Sequence, residues 1–398
     1  MGTSGRRTVR DLRRGNRAML LRALYFGGPA SRNELSAATG LSAATVSTMT
    51  AGLLESGVVV EAGQVDSDGG RPRVLLKVNP AHGYAVGVDV GETQVKVELF
   101  DLAMNVRAGA HYAVRSAKHD PELVARHILT GVDAVIAESE VPPAQVLGVG
   151  VGVPGIVEPG PGALVRAKTF GWEAVPLGAL LRAGTGLPLY VDNGAKTMGQ
   201  AELWFGSGQG ARDAIILLVG SGVGGTVVTD GRIYRGAGMA AGEVGHLKIV
   251  AGGRACRCGA RGCLEAYLGA EAILDRAGVV ADSADEESAL ARLLEEGSPV
   301  IGESVELLGV GLSSLVHLFN PERVVIGGWA GLMLGGRLLA EIRAAAAANT
   351  QAQPFQPETV VLGRLGPDAV ALGAATLVVE PFLSGAAYPE SVPTMPKS

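Results

Sequence analysis

The chain is poor in cysteine, aromatics and charge. Only three of its 398 residues are cysteine, 4% are aromatic and 18% are charged. Three thiols cannot build the disulfide framework of a small secreted domain. With so few rings and 59 glycines, a core of helix packed on sheet is expected, with glycines at the bends. No run of eighteen or more consecutive apolar residues occurs, so no segment has the composition of a bilayer-spanning helix. Met1 to Arg17 is arginine-rich and lacks the apolar stretch of a secretory signal. What the chain has is 47% hydrophobic residues, which exclude a disordered polymer, and length for two or three domains. Reduced thiols and no export signal lead to an expected cytoplasmic location.

The three cysteines share one stretch, Cys256-Arg257-Cys258-Gly259-Ala260-Arg261-Gly262-Cys263. Ten residues before the first lies His246, in Gly242-Glu243-Val244-Gly245-His246. Three thiolates and an imidazole fill a tetrahedral shell and leave no position for a catalytic water. His246, Cys256, Cys258 and Cys263 are therefore the candidate ligands of a structural zinc. The competing reading is three buried thiols that only pack, or a redox pair.

Net charge is −5, unevenly spread. Residues 1–80 carry ten Arg and one Lys against six acids, +5, which leaves −10 for the rest. A basic front on an acidic body suits a nucleic-acid-binding head on a sensor, although a solvated basic helix would look the same. Within the head, Val9, Leu12, Met19, Leu20 and Leu24 recur at helical spacing, and Gly27-Gly28-Pro29 ends that helix. Ser31 and Glu34 form a capping box for a second helix that ends at Gly40. Ser42 caps a third, which runs to Gly57. Two short helices joined by a tight turn form a helix-turn-helix.

The outward face of the third helix offers Ser42, Ala43, Ala44, Thr45, Ser47 and Thr48, small enough for close approach to base edges. Val58 to Glu61 and Val74 to Val78 are expected as two short strands around a loop. That loop holds Arg71 and Arg73, suited to the narrow minor groove. The head is thus expected to be a winged helix-turn-helix with Ser42, Ala43, Ala44, Thr45, Ser47, Thr48, Arg71 and Arg73 at operator DNA. A three-helix packing module with solvated arginines is the competing reading.

Beyond Asn79-Pro80, the metal loop followed by Glu265 resembles the zinc loop of the ROK family, which comprises repressors, open reading frames and sugar kinases. Other segments are similar to that family. Asp89-Val90-Gly91-Glu92-Thr93 resembles its first phosphate turn, with Glu92 where glycine is usual. Gly220-Ser221-Gly222-Val223-Gly224-Gly225 resembles the second, and Gly152-Val153-Pro154-Gly155 the sugar-side loop. Val191-Asp192-Asn193-Gly194-Ala195-Lys196 aligns with the phrase in which the family's kinases carry their general base, and Gly194 holds that position here.

The resemblance implies an α/β body of the actin-like, ribonuclease H-like two-lobed sugar kinase fold behind the helical, winged head. Expected boundaries are 1–80 for the head and 81–192 for lobe 1, completed by about 360–380. Lobe 2 with the zinc loop is expected over 193–359, and a loose tail over 381–398. It also implies sugar contacts at Asn193, Glu243, His246 and Glu265, with His246 serving both sugar and metal. Glu243 and Glu265 could instead only brace the zinc loop. Without a carboxylate at 194 the chemical step lacks its base, and no catalytic residue is expected. Lys196 is expected to form a surface salt bridge with Glu202, the alternatives being that it answers Glu92 or pairs with an anionic or phosphorylated inducer, and Asp192 is expected to point away from Asn193. The combined expectation is a sugar-responsive transcriptional regulator, a repressor by class, binding zinc, operator DNA and a sugar effector as a homodimer or homotetramer away from membranes. A bifunctional glucose or N-acetylamino-sugar kinase with a DNA head, or a zinc-stabilised scaffold, remains the alternative.

Overall fold

The computed structural model describes residues 8–67, 70–114, 119–160, 162–279, 285–351 and 356–385. The head consists of α1 (Val9–Gly27), α2 (Arg32–Thr39) and α3 (Ala43–Glu55), followed by an antiparallel hairpin of β1 (Val59–Ser67) and β2 (Gly70–Val78). Thr8 with Asp11 and Ser31 with Glu34 form capping boxes, and Ser42 caps α3 through the Thr45 amide. Each cap satisfies amides that a helix start leaves without partners. Leu20, Leu21, Leu24, Leu35, Val46 and Leu76 are buried together, and Arg32 Nε donates to the Thr50 hydroxyl at 3.1 Å to hold α2 on α3.

The hairpin strands are longer than the sequence suggests. Arg71 and Arg73 belong to β2, not to a loop. Register shifts between Val65 and Ser67 make an irregular stretch where Pro72, which has no amide to donate, is tolerated in a strand. The side chain of Arg71 and residues 68 and 69 lie outside the described residues.

Two sheets of the same strand order form the body. The first contains β3 (Tyr84–Val90), β4 (Gln94–Asp101) and β5 (Val106–Ala113). Helix α4 (Pro121–Glu138) then leads to β6 (Val146–Val153). A small antiparallel sheet of β7 (Ile156–Glu158), β8 (Leu164–Ala167) and β9 (Trp172–Pro176) follows, then α5 (Leu177–Arg182) and β10 (Leu189–Asn193). The main sheet runs β10-β6-β3-β4-β5, its first three strands parallel and the rest antiparallel.

Helix α6 (Gly194–Phe205) crosses to the second half, where β11 (Ala214–Val219), β12 (Val223–Thr229) and β13 (Arg232–Ile233) precede the metal loop. Helices α7 (Glu265–Leu268), α8 (Ala270–Arg276), α9 (Glu286–Glu295) and α10 (Pro299–Phe319) follow. The chain finishes with β14 (Arg323–Gly327), α11 (Trp329–Asn349), β15 (Val360–Leu362) and α12 (Ala369–Ser384). The second sheet runs β13-β12-β11-β14-β15, so each sheet places its first strand at the centre, between an antiparallel neighbour and a parallel one. Leu308, Leu312 and Leu315 of α10 are buried in the second core, which accounts for the length and apolarity of that helix.

Two boundaries differ from expectation. Val360 to Leu362 pair with β14 and belong to the second sheet, so the return to the first lobe is made by α12 alone. Residues 381–384, expected as tail, continue α12 through Pro381, because Leu383 is fully buried among the head leucines and that docking outweighs the missing amide. The acidic segment from 281 to 296 forms α9 over its described part, with Ala289, Leu290 and Leu293 facing the core. Residues 281–284 and 386–398 lie outside the described residues.

Helix α12 lies almost in contact with the backbone of the first sheet. A methyl group on Gly150 would stand 1.8 Å from the carbonyl oxygen of Ala374, and one on Gly87 2.0 Å from that of Ala371. Neither oxygen can retreat without breaking the helix. Gly150→Ala should therefore destabilise the protein by about 3 kcal/mol, the upper range for an overpacked core. Urea unfolding measures it; an unchanged midpoint would mean that α12 is not seated on β6 as described.

Candidate functional site: the metal loop and the cleft between the lobes

His246, Cys256, Cys258 and Cys263 come together, with their ligand atoms all within 4.8 Å of one another. The Cys258 and Cys263 sulfurs are 3.7 Å apart, and Cys256 Sγ lies 3.8 Å from His246 Nδ1. A tetrahedral metal with bonds of about 2.3 Å to thiolates spaces them by about 3.8 Å, so the set has the dimensions of a metal centre. Lys248 Nζ sits 3.0 Å from Cys263 Sγ, a cation beside the sulfur set. The histidine reaches this set because Gly245 lets its segment lie against β12: a methyl group there would be 2.1 Å from the Val223 carbonyl oxygen.

The other ring nitrogen of His246, Nε2, faces the Glu243 carboxylate at 3.9 Å. One imidazole thus addresses the metal set and an acid at once, and a carboxylate on the far nitrogen fixes the ring's orientation. Asn193 is nearly buried and turned to the backbone. Its side-chain oxygen accepts from the Lys196 amide at 3.0 Å, capping α6, and Nδ2 donates to the Gly155 carbonyl at 2.7 Å. One amide hydrogen is left for a ligand. Glu265, also nearly buried, looks the other way. It accepts from the Val223 amide at 3.1 Å and lies 3.5 Å from both Cys256 Sγ and an Arg257 nitrogen. Of the four sequence candidates, Glu243 and His246 meet, whereas Glu265 faces the glycine turn of the second lobe.

Lys196 departs from expectation. It is only 2% exposed, and its Nζ donates to the Met239 carbonyl at 2.8 Å. Burial lowers its pKa from the usual lysine value, opposed by the charges of Asp192 and Glu243. The expected salt bridge with Glu202 is absent because Glu202 is itself buried, accepting from the amides of Ser207 at 2.7 Å and Leu365 at 3.3 Å. Asp192, itself buried, pairs with Arg235 at 2.6 Å and accepts from the Asn193 amide at 2.8 Å. A methyl group on Gly194 would meet nothing nearer than Val370 at 3.7 Å, so the helix start has room for a side chain that the sequence does not supply.

Two residues to which the sequence pattern assigns no role prove central. Arg257, between two candidate ligands, pairs with Glu92 of the first lobe at 2.6 Å and with Glu271 at 3.0 Å. Arg235 holds Asp192. A local signal existed only for Arg257, since an acid in a glycine turn calls for a distant cation. A cavity of ≈ 140 Å³ adjoins this cluster, lined by Ser221, Cys256, Arg257, Glu265 and Glu271. Another of ≈ 360 Å³ touches Tyr190, Asp192, Gln200, Trp204, Arg235 and Glu380 beside the head.

In the head, Ser42, Ala43, Ala44, Ser47 and Thr48 are exposed. Thr45 is half-buried and shares its hydroxyl with Ser42 at 2.9 Å. Arg73 is exposed, 3.8 Å from Glu34. Helix α6 connects head and cleft. It starts at the Asn193 cap and ends in Trp204 and Phe205, which pack on Phe26 and Tyr25 of α1 at ring distances of 5.0 and 6.2 Å. Arg22 lies over the Trp204 ring and pairs with Glu380 of α12 at 2.9 Å.

A duplicated α/β body of the two-lobed sugar-kinase architecture, preceded by a small helical head, is the class that this fold defines. The sequence model of the ROK family matches residues 85–380, and the chain belongs to that family. The xylose repressor of Caldicellulosiruptor bescii is 33% identical over 396 residues, spanning 95% of this chain and 98% of that protein. The crystal structure of a ROK family transcriptional regulator, a homologue of the E. coli MLC protein, superposes with a TM-score of 0.74 at 24% identity. That match covers 94% of this chain and 97% of the other. A ROK family glucokinase from Streptomyces griseus, solved with glucose and AMPPNP, gives a TM-score of 0.63 at 26% identity. It covers 75% of this chain and 100% of the kinase, so about a quarter of this chain has no counterpart in it.

Asp89, at the mouth of the first-lobe turn, has a carboxyl that burial pushes up to about 7, against the pull of Lys96. Asp368 and Glu98 add to the rise. The folded form therefore keeps a proton that the unfolded chain has already released near its ordinary value of 3.8. That contribution to stability is full below the unfolded value and is lost as pH rises through the folded one. Urea midpoints at pH 5 and pH 8 should thus fall more in the native protein than in Asp89→Asn. Equal slopes in the two proteins would remove Asp89 as the cause.

Proposed function

We propose that the chain is a sugar-responsive transcriptional repressor of carbohydrate genes, with a winged helix-turn-helix head that reads operator DNA and a body that no longer phosphorylates sugar. The observation that carries the reading is helix α6. It begins in the cleft at Asn193 and Gly194 and ends against head helix α1 at Trp204 and Phe205. Its twelve residues span about 18 Å, a rigid path from ligand to head. The repressor name of a relative matched along nearly its whole length supports the same direction.

Glu243 and His246 form the polar wall for a sugar, joined by the free hydrogen of Asn193 and, once Arg257 moves, by Glu265. A sugar whose hydroxyls engage these groups in one lobe arrangement better than in another shifts the population of that arrangement. Helix α6, with α12 through Glu380 and Arg22, passes the shift to the head. In a homodimer the spacing of two heads then changes against half-sites about one helical turn, roughly 34 Å, apart. Ala43, Ala44, Ser47 and Thr48 face the bases, with Ser42 and Thr45 at the helix start, and Arg71 and Arg73 on the wing reach phosphates or the minor groove. The setting is the cytoplasm, where both DNA and reduced thiols are found.

His246, Cys256, Cys258 and Cys263 hold zinc in this reading. The ion closes the loop that presents Glu265 and Arg257, and leaves no open position for chemistry. The kinase step lacks its base at Gly194, and general-base assistance is worth about 10²–10⁴ in rate.

Elemental analysis of the purified, reduced protein should give about one zinc per chain, and Cys258→Ser should lose it. Metal-free native protein would remove zinc from the reading.

Operator affinity, measured on duplexes selected from genomic DNA, should fall steeply with salt. Arg71→Ala with Arg73→Ala should lower the log–log salt slope by about two, one for each phosphate no longer neutralised. One member of a sugar panel should release the DNA without sugar-dependent ADP formation. DNA binding that ignores salt and every sugar would overturn the regulator reading, and ADP release at ordinary kinase rates would favour the bifunctional kinase.

A further inference from the structure

The two lobes carry equivalent hairpin turns after their central strands, and these turns face each other across the cleft. In the first lobe the turn joins β3 to β4, closed by the Gly91 amide on the Gln94 carbonyl at 2.9 Å. In the second it joins β11 to β12, closed by the Gly220 amide on the Gly222 carbonyl at 2.9 Å. Opposed glycine turns commonly leave their amides free to cradle an anion. Here the space between them is filled by the chain itself. A methyl group on Gly222 would stand 2.4 Å from a guanidinium nitrogen of Arg257, 2.8 Å from a Glu265 oxygen and 3.4 Å from a Glu92 oxygen.

Arg257 is bidentate on Glu92, at 2.6 and 3.2 Å. It also meets Glu271 at 3.0 Å and Glu265 at 3.5 Å. Glu286 stands next in line on the Ser221 hydroxyl at 2.6 Å. An approaching anion therefore finds one cation already matched by several carboxylates. Both members of the Arg257–Glu92 pair are about three-quarters buried, so solvent screens them less than an exposed pair. Glu92 is held in place from behind: its backbone carbonyl oxygen is 2.8 Å from His119 Nε2, and the His119 ring stacks on Phe170 at 3.8 Å. The next residue of the metal loop makes a second crossing, as Lys168 of the first lobe donates to the Cys258 carbonyl at 2.9 Å.

We propose that the Glu92–Arg257 pair is a clasp that holds the two lobes together across the cleft, taking the place a bound anion would occupy between the turns. The metal loop presents Arg257 to the first lobe, and the same guanidinium touches Glu265, so acids of both lobes share one cation. Arg257 acts here as a positioning residue. The clasp stands whether or not the chain is a repressor.

The test is hydrogen exchange in the full-length, metal-loaded protein, read in the peptide containing the Val223 amide, which donates to Glu265 inside the cluster. Glu92→Gln and Arg257→Gln should each speed its exchange by about tenfold. The double variant should be no faster than the faster single, because both changes break one pair. Exchange within about twofold of native in both singles would overturn the clasp, as would effects that multiply in the double. Should the variants shed the metal, native protein decides: raising salt from 0.05 to 1 M cuts the screening length to about 3 Å and should speed the same peptide, whereas indifference to salt overturns the proposal. Operator and sugar binding on the same samples judge the repressor reading separately.

Discussion

The structure depends on the close seating of one late helix on two glycines. Helix α12 presses its backbone onto Gly87 of β3 and Gly150 of β6, where any side chain would strike a carbonyl oxygen within 2.0 Å. From that seat it reaches α6 through Gly373, where a methyl group would fall 1.8 Å from the Thr197 carbonyl, and ends with Leu383 buried among the leucines of the head. First sheet, bridging helix and head thereby become one packed unit. Protein interiors at this density transmit a shift instead of absorbing it.

The second lobe joins that unit through an apolar cluster, where Met198 of α6 and Ala369 and Val370 of α12 pack with Ile216, Val228 and Val325 of the second sheet, and through polar contacts. Arg257 and the Cys258 carbonyl meet Glu92 and Lys168 of the first lobe, and Lys196 of α6 meets the Met239 carbonyl. Apolar packing holds the head on the first lobe and α6 on the second sheet, while charges and directional hydrogen bonds are added where the lobes face each other across the cleft. The second kind is the easier for a small polar ligand to exchange, since a sugar offers hydroxyls that compete for the same carboxylates.

Much of the site was legible before the fold. His246 and the cysteines were readable because metal ligation demands a fixed donor set at short spacing, and their sulfur separations fit such a centre. Helix caps at Ser31 and Ser42 were readable because capping is local chemistry. The partners of Lys196 and Glu202 were not. Both sit on α6, which is covered on nearly every face by the two sheets and α12, and no periodicity in twelve residues reveals that an entire helix is enclosed. Glu92 stood out as an acid in a glycine turn, yet its partner lies 165 residues away. Pro381 misleads for a related reason: proline signals an end locally, and the apolar docking that keeps α12 going to Ser384 lies on the far side of the molecule.

By itself the sequence determined the donor set of the metal loop, the caps and order of the head helices, and the missing carboxylate at Gly194. Each of these is written in residues close together or in a single side chain. The tertiary structure alone decided that Arg257 fills the space between the glycine turns, that Asn193 spends its amide on the α6 cap and Gly155, and that α6 joins the cleft to the head. The physical reason is range. Helix caps and clustered ligands act over one or two turns of chain, whereas ion pairs and close backbone approaches act only once distant segments have been brought together by the burial of the core.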